Sequence, residues 1–347
     1  MKGGAAGILI LLLGASASSA GPDPEQIDEA VQRGVRWLLR EQKANGAFGT
    51  NAGQTALGLM ALRHSGVRAE DKACVKAARY LARVLPDGTS YGAALGIIAL
   101  IEQRKRKYKP EIDKLVKQLA GGQCRNGQWT YAYRATAKKS AGDNSNTQLV
   151  ILALAGARLH GYDVPDEVFA KCGAFFRKSQ NEDGGFGYSD KQRAKSYGSM
   201  TAGGAMALVL CAAFEQKKNI RDPSLRELPE VKRALRWLGQ GFDPAKNKDA
   251  ARAFGKKKGK RGDNFWKHYW LWSLERAGEA SGAKLIGGHD WYAAGAAHLL
   301  ANQRDGGEWR DPEAKLLGTC FALLFLKRST RAVLTPPDRV TTPPAAG

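Results

Sequence analysis

Two aspartates stand where a carboxyl could meet a substrate. Asp143 and Asp263 each follow a glycine and each introduce an apolar stretch of helical character. Glycosidic hydrolysis needs such a pair of opposed carboxyls, one to protonate the leaving oxygen and one to act as base or nucleophile. The same place also suits an aspartate that caps a helix, and both roles stay open from sequence. A carboxylic acid that protonates an alkene has to be polarised by neighbouring carboxyls. The chain has no Asp-x-Asp-Asp run for that purpose. Nor has it an Asp-Asp-x-x-Asp run to hold magnesium against a diphosphate.

Metal and thiol chemistry find little support. His268, His289 and His298 lie in the last third of the chain with Cys320 beyond them. A zinc site from His268, Cys320 and Asp263 is conceivable, but lone histidines are more often packed or surface residues, so neither a metal nor a cofactor is expected. Asp71-Lys-Ala-Cys74 does not have the Asp-x-Cys spacing of a thiolate-activating zinc site. Gly122–Gln128 places its cysteine and glutamine one residue too far apart for a Gly-Cys-Gly-Glu-Gln thioester. The five cysteines are widely spaced, contain no Cys-x-x-Cys, and are expected as buried single thiols.

Residues 1–20 read as a cleavable export signal. One lysine precedes the short apolar run Ile8–Leu13, and small residues lead to a cut after Ala20. The run is too short to span a bilayer. The expected location is therefore periplasmic or extracellular, with no transmembrane segment in the mature chain. The net charge of +21 comes from 54 basic and 33 acidic residues. For an exported chain this points away from nucleic acid and toward anionic glycans, phospholipid surfaces or diphosphate head groups.

The elements that must position any site come from a repeat. Gln42, Gly46 and Phe48 form a Gln-x3-Gly-x-aromatic pattern. It returns as Gln123–Gly127–Trp129, Gln180–Gly184–Phe186 and Gln303–Gly307–Trp309, with weaker copies around Gly88–Tyr91 and Gln240–Phe242. Each of the six units reads as helix, turn, helix. First helices are amphipathic: near residue 27, over Lys72–Leu85, Glu111–Leu119, Asp166–Ser179, Glu230–Leu238 and Trp291–Asn302. Second helices are apolar nearly all round: Thr55–Leu62, Ala93–Ile101, Gln148–Ala157, Thr201–Phe214, Trp266–Leu274 and Leu316–Leu326. A helix without a polar face has to be enclosed. The alternation therefore predicts an all-α fold, a single α/α toroid of six helical hairpins in two concentric rings. It occupies residues 21–330, with a Pro/Thr-rich tail over 331–347. Gly58, Gly96, Gly203 and Gly204 are expected to let inner helices approach closely.

The Gln-x3-Gly-x-Trp/Phe pattern after an amphipathic helix resembles the QW repeat of squalene–hopene cyclases and the related repeat of protein prenyltransferase β subunits. Three further stretches, Gly142–Gln148, Tyr197–Thr201 and His289–Tyr292, are similar to bacterial proteins that carry these repeats. The resemblance spans roughly residues 25–330 and implies that the repeat residues are structural, tying outer helices around a lumen. The cyclase and prenyltransferase catalytic motifs named above are absent.

In such a ring the inner-helix starts converge on one rim. That rim is expected to carry Tyr91, Asn146, Gln148, Ser199, Thr201 and Tyr269 as ligand-binding residues. Asp143, Asp263 and His268 are the candidates for catalysis, and the basic insertion Lys256–Arg261 stands beside Asp263. The expected function is a non-catalytic or divergent toroid that binds a lipid, peptide or anionic glycan, or serves as a scaffold. The alternative is a divergent cyclase-, prenyltransferase- or polysaccharide-active enzyme using the rim carboxylates.

Overall fold

The computed structural model describes residues 21–85, 88–104, 106–132, 142–189, 194–254, 262, 264, 266–311 and 315–335. The expected leader at 1–20, the insertion at 256–261, Asp263 and the end of the chain from 336 lie outside these residues.

Hairpin pairs follow the repeat. Helix α1 (Pro24–Arg40) is followed by α2 (Ala52–His64), α3 (Lys72–Val84) by α4 (Ser90–Arg104), and α5 (Lys109–Gly121) by α6 (Asn144–Leu159). Then come α7 (Asp166–Ser179) with α8 (Gly198–Glu215), α9 (Pro229–Gly239), the short α10 (Ala250–Phe254) and α11 (Lys267–Ser281). A two-residue hairpin, β1 (Leu285–Ile286) with β2 (His289–Asp290), leads to α12 (Trp291–Asn302), α13 (Lys315–Leu326) and α14 (Ser329–Val333).

The first helix of each unit buries one stripe. In α1, Ile27, Val31, Val35 and Leu38 are buried while Arg33, Arg36 and Arg40 face solvent. The second helices are enclosed: α2 is buried without a break over Thr55–Leu62 and α8 over Gly198–Ala213. By length and composition α8 could cross a membrane, but 89% of it is inside the molecule, packed against α6, α7, α9 and α11.

The inner ring closes. Helices α2, α4, α6, α8, α11 and α13 pack each on the next, and α13 packs back on α2. The repeat glutamines explain the spacing. Gln42 donates its amide to the carbonyl of Gly46 at 3.1 Å and of Ala73, on the next outer helix, at 2.9 Å. Gln123 joins Gly127 and Val168, and Gln180 joins Gly184 and Glu230. Gln303 joins Gly307 to Ala30 of α1, so the last unit is stitched to the first. One side-chain amide thus satisfies a turn carbonyl and an outer-helix carbonyl four times round the ring.

The glycine of the pattern is required twice over. At Gly127 φ is +95°, and a Cβ would lie 2.3 Å from the Lys171 carbonyl oxygen on the adjacent outer helix. Close approach and left-handed backbone leave no room for another residue.

Two expectations need correction. Gly58, Gly96 and Gly204 do not serve helix–helix approach. Each faces a side chain from its own unit's joint, a Cβ there meeting Phe48 at 2.6 Å, Leu85 at 2.4 Å and Phe186 at 2.4 Å respectively. The folded body also continues past residue 331, because α14 buries Thr330 and Val333 and Leu334 packs into the core.

Candidate functional site

The N-terminal halves of the inner helices enclose a cavity of about 1420 Å³. Every inner helix sends an apolar side chain to its wall: Leu57, Leu95, Leu149, Met200, Trp272 and Phe321. This follows from helices that must be apolar toward both the outer ring and the lumen. Tyr131, at 52% exposure, marks where the wall reaches solvent.

Phenols crowd the upper wall. Tyr91 and Tyr131 stack with ring centroids 5.7 Å apart, and the Tyr131 and Tyr188 hydroxyls lie 2.9 Å apart. The Ser145 hydroxyl is 3.3 Å from the Tyr188 oxygen and donates to Asp143 Oδ1 at 2.6 Å. Burial pushes Tyr91 and Tyr197 well above the usual phenol range and raises Tyr269 as well, so they stand as neutral hydroxyls. At the mouth, Trp266 adopts a left-handed backbone, φ 54° and ψ 42°, at the start of α11. A bulky residue there is strained, and such strain concentrates at functional sites.

Behind the Trp272 and Tyr269 rings of the wall lies a buried polar cluster. Arg276, fully buried, places its guanidinium carbon 4.0 Å over the Trp272 ring and 5.4 Å from the Tyr269 ring. Its Nη2 donates to Gln148 Oε1 at 2.9 Å and to Ser273 Oγ at 2.8 Å. Its Nε and Nη1 are buried without a hydrogen-bond partner, and the buried Tyr269 hydroxyl has only looser approaches to Tyr91 and this guanidinium. Glu275 turns away, accepting from the Thr330 amide and hydroxyl at 2.9 and 2.6 Å. Burial pushes its carboxyl up to about 8, so it is mostly protonated at neutral pH.

The rim residues singled out from sequence divide into three groups. Tyr91, Ser199 and Tyr269 line the cavity. Asp143 caps α6 beside it, accepting from the Asn146 amide at 2.9 Å, while Asn146 folds its own amide back onto the Asp143 carboxylate. Gln148 is behind the wall, bonded to Arg276. Thr201 and His268 are behind the wall. Thr201 accepts the Phe186 amide at 3.0 Å, and His268 Nδ1 lies 3.1 Å from Asp311 Oδ2, which also accepts the His268 backbone amide. His268 is thereby committed to Asp311 rather than grouped with Cys320. Asp263 is outside the described residues. Among the described residues no three His, Cys, Asp or Glu side chains come together as a metal site.

Sequence reasoning missed Tyr131, Tyr188, Tyr197, Trp272 and Arg276. A signal existed for two of them. The residue two past the repeat aromatic is Thr50, Tyr131, Tyr188 or Asp311, and in the third and fourth units it is the rim phenol.

No family model and no curated protein matches this chain. Solved structures do. The apo type II terpene cyclase MstE from Scytonema superposes with a TM-score of 0.58 at 15% identity, covering 90% of this chain and 99% of that one. Another structure of that cyclase contains geranylgeranyl dihydroxybenzoate. The GH76A α-1,6-mannanase from Salegentibacter sp. HEL1_6 superposes at 0.62 with 12% identity, covering 89% and 100%.

The chain is an α/α toroid. The likeness to a terpene cyclase is thus shown at the level of the fold, and a mannanase shares that fold. The toroid's cavity differs from a carboxylate-centred site in its described lining, where the charged residues are Lys195 and Arg252.

Proposed function

We propose that this toroid is an exported, divergent binding protein that takes a ligand with a long apolar portion into its lumen. The observation that carries the reading is the wall itself, to which all six inner helices contribute an apolar side chain around about 1420 Å³. Concave, mostly apolar cavities with a few convergent polar groups are where small ligands bind. Here the polar groups are the rim phenols and Ser145 and Ser199. Asp143, the carboxylate nearest this ring of hydroxyls, is occupied in capping α6, which supports binding over acid–base turnover. Export rests on the leader-like residues 1–20.

A thermal-shift comparison on the protein with squalene, oleyl alcohol and a sulfated oligosaccharide tests this. A ligand at about a hundred times its dissociation constant stabilises the fold by roughly 2.7 kcal/mol. The expected result is a shift with an apolar-chain ligand. A shift with the oligosaccharide alone would overturn the reading in favour of a glycan-binding toroid.

A further inference from the structure

The lumen's electrostatics say more than its shape. Three cations serve it. Lys195 and Arg252 are exposed at the mouth and are the charged members of its described lining. Arg276 lies behind the wall, against the Trp272 and Tyr269 rings, and its hydrogen-bond partners, Gln148 and Ser273, are both neutral. A buried guanidinium without a counter-charge is costly, and such groups in folded proteins are paired. Glu275, the adjacent carboxyl, does not pair with it: both its oxygens are engaged by Thr330, and burial favours its protonated form. The Arg276 Nε and Nη1 atoms are left unpartnered, and the Tyr269 hydroxyl, buried on the lumen wall, has only looser approaches to Tyr91 and that guanidinium.

The geometry points to an anionic amphiphile as the ligand: a long apolar chain ending in a carboxylate, whose acid group accepts the Tyr269 hydroxyl at the part of the wall behind which the Arg276 charge lies. This rests on the lumen-binding reading above and names its ligand class. Lys195 and Arg252 steer the acid to the mouth, since a low-dielectric cleft lined by one sign of charge concentrates the opposite sign. The apolar wall takes the chain. A neutral alcohol of the same length can accept the Tyr269 hydroxyl, but more weakly than a carboxylate, and it brings no negative charge to Arg276, Lys195 and Arg252.

The test is a matched pair. Equilibrium binding of oleate and of oleyl alcohol, both kept monomeric, is measured at pH 7 on the whole protein. Oleate is expected to bind at least about tenfold more tightly. The double substitution Lys195→Gln and Arg252→Gln, at exposed positions, should narrow that ratio and flatten its salt dependence. Tyr269→Phe, which removes one oxygen, should narrow it independently. Equal affinities for acid and alcohol would overturn the anionic assignment while leaving lumen binding standing. An unchanged ratio in both variants would do the same. Failure of both ligands to bind would remove the lumen reading as well.

Discussion

Arg276 on α11 and Gln148 on α6 meet at 2.9 Å although α8 stands between their helices in the ring. They meet because residue 203 of α8 is glycine: a Cβ there would lie 1.9 Å from Gln148 Oε1. The three residues pack together behind the lumen wall, and each is intelligible only through the other two.

Gly203→Ala is therefore expected to displace Gln148 and leave Arg276 with Ser273 as its remaining partner. Overpacking and a lost charge-assisted bond should together cost about 1–3 kcal/mol, read by denaturant unfolding. Gly66→Ala is a poor control because its φ is +91°. Gly121→Ala, with open space around its Cβ, should change stability far less.

The inner-helix threonines make a second, sharper case. Thr55, Thr147, Thr201 and Thr319 each accept the backbone amide of the repeat aromatic, at 3.1, 3.0, 3.0 and 3.1 Å. Thr201→Val keeps the shape and strands the Phe186 amide, for an expected loss of about 1–3 kcal/mol. Thr130→Val should be nearly neutral, since the Thr130 hydroxyl is buried without a partner. Equal costs for the two would contradict this role for the hydroxyl.

Ring closure can be tested at Gln303. Gln303→Leu removes the amide bonds to Gly307 and to Ala30, at about 1 kcal/mol each. Hydrogen exchange should speed up most in α1 and α12. Protection lost evenly over the whole ring would argue against a local seam.

Stability should fall as the solution becomes alkaline. Burial raises the Glu275 carboxyl from 4.5 to about 8. The folded state therefore binds this proton more tightly than the unfolded chain. That contribution is fully present below pH 4.5 and is lost as pH rises to 8. His64 acts in the same direction. Burial opposes its charge, but Glu102, 2.8 Å away, outweighs burial and raises it above 6.5. Glu275→Gln keeps a neutral group against Thr330, so its unfolding free energy should be flatter between pH 5 and 8. A slope equal to that of the parent protein would refute the assignment to Glu275.

Much of the fold was legible because its two signals are periodic. Asp166–Ser179 and Trp291–Asn302 form with the bounds that their apolar spacing implies, and the inner helices appear wherever polar faces vanish. The linking chemistry was only half visible. Gln, Gly and the aromatic stand at fixed spacing within one turn, whereas the accepting threonine follows seven residues after Phe48, eighteen after Trp129 and fifteen after Phe186. A pattern search at constant spacing passes over it. The lumen was harder still. Tyr269, Trp272 and Arg276 share a face by helical spacing, but nothing local distinguishes the lumen face from the faces packed on outer helices, because both are apolar. The partners that give Arg276 meaning lie 73 and 128 residues away along the chain.

The most direct measurement of lumen binding is a calorimetric titration of oleate into the protein and into Gly53→Phe. Gly53 is on the lumen wall, and a Cβ there makes ordinary contact with Asn51 Oδ1 at 3.4 Å and the Gly92 backbone at 3.7 Å, so the added ring is designed to fill the lumen beside α2 and α4. Saturable binding of one oleate to the parent protein, weakened at least about tenfold in a folded Gly53→Phe, is the predicted result. Binding of equal strength in the two proteins, or none to the parent, would contradict a ligand in the lumen.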